Sequence, residues 1–381
     1  MRGRPLIADN PWVDGLLRMA VIALAMPLSV IILNYLERKV IGRIQMRLGP
    51  MRVGPYGTLQ AVADSIKLIA KEDVRPTSAD RWTFELAPYV VVVPSFLAFV
   101  TLPFTQDLFV RNLSIGLFFI VAVSGLSIVG IVMAGWGSDN KYALLGGVRA
   151  GAQLISYEIP LVLAVVAVAM IASTEGGRGS LNLAEIVEGQ GRVPNIVWQP
   201  LPFFLFFVAT LAELYRQPFD IPVAESEVVG GPFVEYSGIR WSMFQLAEYV
   251  NLVLFSVLAS LVFLGGWNWP LGDEVGAGLQ APLIFIKTSI FILIFFWIRA
   301  TLPRLRIDQL MAYCWQILIP LAFLQILANG MVLVYDWPDW VLGVLSGAGL
   351  LLVAYLTYLS SRQTAAPYSP RYTAARIEKA G

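Results

Sequence analysis

The chain has 381 residues, 57% of them hydrophobic and 14% charged, with a mean hydropathy of +0.69. A soluble domain carries about a quarter charged residues, so this composition places most of the chain in lipid. With no histidine and one cysteine, Cys314, the chain alone builds no haem site, iron–sulfur cluster, His-rich zinc site, Ser-His-Asp triad or disulfide. Cys314 lies in an apolar run and reads as a small core residue. The first apolar run is long enough to span and lacks a cleavage site, so no secretory signal is read.

Continuously apolar stretches lie near 13–36, 84–104, 114–136, 153–173, 199–215, 243–266, 281–301, 313–335 and 339–360. Each approaches the ~20 residues a helix needs to cross a hydrocarbon core of roughly 30 Å. Their continuity, rather than alternation, selects helices over a barrel. The expected fold is all-α, a polytopic membrane protein of about nine transmembrane helices forming a single integral domain over 1–381. The stretch 199–215 is short and opens on Pro200 and Pro202, and Trp337 and Trp340 ahead of the last span suit the interface.

Cations divide unevenly between alternate loops. Arg38, Lys39, Arg43, Arg47, Arg52, Lys67, Lys71, Arg75 and Arg81 share the first loop, and Lys141, Arg149, Arg216, Arg240, Arg299, Arg304 and Arg306 fall on the same side. A basic tail over 361–381 adds Arg362, Arg371, Arg376 and Lys379; the other side holds Arg2, Arg4, Arg111, Arg178 and Arg192. By the positive-inside rule the N-terminus is expected outside the cytoplasm and the C-terminus within it, in the cell inner (plasma) membrane.

The first cytoplasmic loop, 37–83, reads as structured. Gly49-Pro50 and Gly54-Pro55 set turns. Over 58–72, Leu59, Val62, Ile66 and Ile69 recur at helical spacing with Asp64, Lys67 and Lys71 elsewhere on the surface, an amphipathic interfacial helix. It reads either as a membrane anchor or, more sharply, as the lip of a pocket or a docking surface for a soluble partner.

Ionisable groups at membrane depth mark functional paths unless they are paired. Glu158 falls inside the fourth span, Glu213 at the end of the fifth and Glu248 in the sixth. An acidic loop over 216–242 carries Asp220, Glu225, Glu227 and Glu235 with Arg216 and Arg240 for company. Pro218, Pro222, Pro232 and Gly230-Gly231 mark that loop as broken and folded in. For any single acid, an arginine partner or a helix cap explains as much. For Glu158, Glu213, Asp220, Glu225, Glu227 and Glu248 together, a water-linked path that holds and passes protons is favoured. Lys287, within the seventh span, either snorkels or pairs with an acid. No dinucleotide or P-loop fingerprint is present, so redox chemistry belongs to other chains or to a diffusible carrier.

Leu36-Glu-Arg-Lys39, Gln45-Met-Arg-Leu-Gly-Pro50, Ala63-Asp-Ser-Ile-Lys-Leu68, Gly135-Trp-Gly-Ser-Asp-Asn140, Arg149 to Glu158, Arg216-Gln-Pro-Phe-Asp220, Ala224-Glu-Ser-Glu227, Leu246-Ala-Glu-Tyr249 and Arg299 to Met311 occur in this order. As a set they resemble the H subunit of NADH:quinone oxidoreductase, respiratory complex I, the counterpart of mitochondrial NADH dehydrogenase subunit 1. The resemblance implies that Glu37, Arg38, Asp64, Lys67, Phe219 and Arg299 line or approach a quinone chamber. It further implies that Glu158, Glu213, Asp220, Glu225, Glu227, Glu235 and Glu248 form a carboxylate path from that chamber. It implies no catalytic residue, metal or cofactor in this chain, quinone as substrate, and NADH, FMN and iron–sulfur clusters in partner subunits. Implied partners are the quinone-module subunits of the peripheral arm, small membrane-arm subunits, membrane quinone and the lipid bilayer, with no nucleic acid.

The chain departs from that family's pattern at several places. Val223 replaces an acid, Met51 an asparagine, Gln316 a lysine, and Glu213-Leu-Tyr-Arg216 stands for Glu-Thr-Asn-Arg. The last span and tail lie beyond the motifs and read as lineage-specific packing. Other readings are a membrane subunit of an energy-converting hydrogenase or other complex I relative, a stand-alone secondary transporter, which lacks the internal repeat expected of one, and a purely structural anchor.

Overall fold

A computed structural model of the chain describes residues 10–106, 108–174, 177–191, 193–223, 225–271 and 275–364. The elements are α1 (Pro11–Ile44), α2 (Gln60–Ala70), α3 (Arg81–Leu97), α4 (Gly116–Gly137), α5 (Lys141–Ile171), an antiparallel pair β1 (Ser173–Thr174) and β2 (Gly177–Arg178), α6 (Leu183–Glu188) and α7 (Asn195–Trp198). They continue with α8 (Pro200–Glu213), α9 (Glu225–Val228), α10 (Gly238–Phe263), α11 (Ala277–Thr301), α12 (Ile307–Tyr313), a π-helical turn at Cys314–Leu318, α13 (Ile319–Val334) and α14 (Asp339–Thr364). The side chain of Glu225, residues Arg2, Arg4 and Arg192, and the tail beyond residue 364 lie outside the described residues.

Among the described residues, eight helical segments are long and apolar enough to cross a membrane, from Trp12–Ile44 to Asp339–Tyr358. The ninth expected span is α8, whose 14 residues extend ~21 Å at 1.5 Å per residue. That is short of a hydrocarbon core of roughly 30 Å. Pro200 and Pro202 open the helix and the chain turns away at Leu214. Phenylalanines hold it in place: Phe207 stacks on Phe295 of α11 at 5.0 Å, and Phe206 meets Phe263 of α10 at 5.4 Å. In lipid such packing, rather than release of water, joins helices.

Several helices outrun their apolar stretches. α1 continues to Ile44, so Glu37 and Arg38 are helical residues and not the start of the first loop. α5 begins at Lys141, capped by the Asn140 side chain, twelve residues before the apolar run from 153. The cause is the same in both. Hydropathy ends where the helix leaves lipid, while the hydrogen-bonded turn continues until a cap or breaker stops it. α2 is the reverse case, eleven residues where fifteen were expected. Its apolar face stays open, with Ile66 and Ile69 exposed.

Small residues let the helices approach closely. A methyl group on Gly130 would lie 3.0 Å from the Val91 amide of α3, and one on Gly135 would lie 2.7 Å from the Ala143 carbonyl of α5. α5 is central, packing against α4, α8 and α13. Its buried Tyr157 donates to the Leu310 carbonyl at 2.9 Å, while Trp315 in the π turn donates to Ser156 at 3.2 Å. Buried Cys314 directs its sulfur to the Ser156 carbonyl, in keeping with a core role.

Lys287 is buried and meets no acid among the described residues. Its ammonium donates to the carbonyls of Leu264 at 2.7 Å and Gly266 at 2.5 Å, closing the C-terminal end of α10, with Trp269 5.5 Å away. The segment over 216–242 packs against the helices. Phe219, Ile221 and Val228 are buried, and Gly231 abuts Gly146 of α5. Tyr236 stacks on Phe84 at 4.1 Å and donates to its carbonyl at 3.0 Å.

Candidate functional site

The site grows from one arginine. Arg216 follows the end of α8 and is 1% exposed, too deep to remain charged without partners. Its Nη1 donates to Glu37 of α1 at 2.6 Å, its Nε pairs with Glu248 of α10 at 3.0 Å, and its guanidinium lies 4.9 Å from the Tyr249 ring. Arg299, near the end of α11, donates to the same Glu37 oxygen. Two glutamates and two arginines thus join α1, α10, α11 and the loop after α8 in a charge-balanced cluster. From the sequence, Arg216 was only a companion to nearby acids; the structure makes it the hub. A lone arginine between a helix end and Gln217-Pro218, surrounded by acids, was the available signal.

A cavity of about 420 Å³ opens beside the cluster. Glu213, Tyr215, Gln245, Glu248, Asn251 and Arg299 supply its polar lining, with Val91, Leu154, Phe233 and Phe244 among the apolar residues. Val223, where the family pattern carries an acid, faces this cavity as well. Glu158 is near enough to Glu213 for their charges to interact. Room for its carboxylate comes from Gly125 of α4, where a side chain would collide with it.

The other acids divide between the fold and the surface. Glu235 accepts from Asn140 at 2.5 Å and so braces the cap of α5. Glu227 pairs with Arg149 at 2.5 Å and is exposed; that hydrogen bond holds its carboxyl below the usual range. Asp220 is partly buried, with Arg304 binding its backbone carbonyl and approaching its carboxylate at 3.7 Å. Burial pushes the Asp220 carboxyl up to about 6, against the pull of Arg304 and Arg299.

Because its folded value exceeds the unfolded 3.8, Asp220 binds its proton more tightly when folded. Its contribution to stability is complete below about pH 4, falls as pH rises and is lost by about pH 6. Difference infrared spectra between about pH 5 and about pH 7 are expected to contain a protonated-carboxyl band. Persistence of that band in Asp220→Asn would assign it elsewhere.

The residues assigned to a chamber by resemblance do not share one cavity. Arg299 lines the polar cavity, and Glu37 bonds to it. Phe219 lines a second, more apolar cleft of about 740 Å³ with Phe207, Leu211, Leu305 and Tyr313. Arg38, Asp64 and Lys67 sit together where α1 meets α2, with Arg38–Asp64 at 2.7 Å and Lys67–Asp64 at 3.6 Å. Burial raises the Asp64 carboxyl, but hydrogen bonds from Arg38 and Gln60 outweigh it and the net shift is downward. Gln153, not singled out from the sequence, ties the pieces together by donating to the carbonyls of Ala212 and Phe219, each at 2.8 Å.

This is a polytopic α-helical membrane protein whose buried charges meet at a polar cavity. Residues 17–330 match the family described as NADH dehydrogenase, and the chain belongs to that family of oxidoreductase subunits. A Brevibacillus brevis relative, named as the H subunit of NADH-quinone oxidoreductase, is 47% identical over 302 residues, covering 79% of this chain and 88% of the relative. One from Dehalococcoides mccartyi with the same name is 42% identical over 356 residues, covering 92% and 96%. A Geobacillus kaustophilus relative, again of that name, is 48% identical over 297 residues, covering 78% and 87%.

Proposed function

We propose that the chain is the membrane subunit of a proton-pumping NADH-quinone oxidoreductase, complex I, that helps enclose a membrane quinone and couples its reduction to proton translocation. The observation that carries this reading is the continuity from Glu37, Arg216, Arg299 and Glu248 to the cavity holding Glu213. NADH, FMN and iron–sulfur clusters belong on this reading to partner subunits, because the chain has no histidine and its one cysteine is buried. The exposed apolar face of α2 and the cluster of Arg38, Asp64 and Lys67 form the rim toward the peripheral arm, and small membrane-arm subunits are neighbours.

The coupling is electrostatic. Negative charge developing on a quinone near Arg299 competes with Glu37 for that guanidinium. At low dielectric, any change in one ion pair alters the proton affinity of the next carboxylate. Glu248 feels it first through Arg216, and Glu213 and Glu158 continue the path. Asp220, able to change protonation in the neutral range, borders the cluster. On this reading α8, too short to span alone, completes the ninth crossing among its neighbours, and the cation distribution favours an N-terminus outside and a C-terminus in the cytoplasm.

In inside-out membrane vesicles, Glu213→Gln is expected to abolish quinone-dependent proton uptake while the complex still assembles. Uptake at the unmodified rate would remove Glu213 from the path. Copurification with nickel-site hydrogenase subunits, instead of NADH-oxidising ones, would favour the hydrogenase relative.

A further inference from the structure

We propose that Tyr215 is a proton relay in the polar cavity, its phenol passing protons between Glu213 and Glu248. The inference rests on the reading of these carboxylates as a proton path and adds to it a residue that is not a carboxylate.

Tyr215 lines the cavity together with both glutamates, and the charge of each acts on it. Its hydroxyl oxygen is buried and has no hydrogen-bond partner among the described residues. A buried hydroxyl is normally satisfied, so one left unpaired inside a polar cavity is available to groups that enter or move there. The backbone gives an independent argument. Tyr215 has φ +48, in the left-handed region that favours glycine and asparagine and disfavours a bulky aromatic. Local conformation therefore selects against tyrosine at this position; its ring packs against the apolar cluster that holds Phe84, Val91 and Phe244, but that packing leaves the polar tip unpaired.

A phenol can donate and accept at once. When one glutamate is protonated and the other is not, the acid's proton passes through a water in the cavity to the phenol oxygen as the phenol's own passes through a second water to the carboxylate, each water giving up one proton as it gains one. One O–H bond breaks and one forms at each end, tyrosine stays neutral, and rotation of its hydroxyl resets the relay. No phenolate intervenes, and no oxidant or reductant is needed.

The test uses the assembled oxidoreductase reconstituted in liposomes, with Tyr215→Phe and Tyr215→Asn compared for quinone reduction and proton uptake. Phenylalanine keeps the ring and removes the hydroxyl; asparagine relieves the backbone. Both variants are expected to assemble and to lower proton uptake on the order of tenfold. That is less than the ~10² a positioned proton donor typically contributes, because water can enter the space. Uptake at the unmodified rate in Tyr215→Phe overturns the inference. Failure of both variants to assemble also overturns it, making Tyr215 a packing residue. Glu213→Gln in parallel separates the two readings. If it alone abolishes uptake, the carboxylate path stands without the relay; if it too leaves uptake unchanged, the path itself fails.

Discussion

Replacing Arg216 with methionine is expected to destabilise the folded chain by ~3–5 kcal/mol, the loss typical when a buried ion pair is broken from one side. Glu37 would then keep only its bond to Arg299 among the described residues while Glu248 loses its ion pair, and the Glu37 side chain is 5% exposed. The penalty is desolvation: a carboxylate there has little water to replace the lost guanidinium. A second substitution that removes the orphaned charge, Glu37→Gln, should return part of the loss. Pair coupling should therefore appear as non-additivity in a double-mutant cycle. The measurement is the thermal midpoint and yield of the assembled complex for the two single variants and the double. Simple additivity, or an unchanged midpoint in the arginine variant, would mean that the cluster does not hold α1, α10 and α11 together.

Gly231→Ala should be nearly as damaging, although it adds one methyl group. Gly231 has φ +61, and a side chain there would strike the Pro222 carbonyl. A left-handed non-glycine residue costs about 1–3 kcal/mol, and forced overpacking against fixed backbone adds about 1–3 kcal/mol. The expected total is ~2–6 kcal/mol. Its consequence is local before it is global, because the turn packs against Gly146 and carries Phe233 into the cavity wall. Limited proteolysis within 220–237 should accelerate in this variant. Gly276, where a methyl group meets nothing, is the control. Equal protease resistance in the two alanine variants would contradict the close contact.

Apolar run lengths located the long spans because crossing lipid requires a continuous apolar helix, and that requirement is written in consecutive residues. They misplaced the ends of α1 and α5 because a helix does not stop where its side chains become polar. They also gave no means of seeing that α8 is short but held by Phe263 and Phe295, since those rings come from distant sequence. The candidate site divides in the same way. That Glu213 and Glu248 face one cavity agrees with their isolation in apolar sequence. That Glu235 serves a helix cap and Glu227 a surface ion pair does not follow from composition, because a carboxylate's role depends on its partner.

By itself, the sequence determined that this chain lives in a membrane, is helical, and has carboxylates but no histidine among its ionisable residues. Those are consequences of residue type and local order. Only the tertiary structure decided which charges neutralise one another. Glu37 lies 179 positions from Arg216 and 262 from Arg299, yet both bond to it. Lys287, which the sequence left between two roles, proved to close a helix end. Charge pairing in a low dielectric is set by distance through space, and only the packing of the helices fixes that distance.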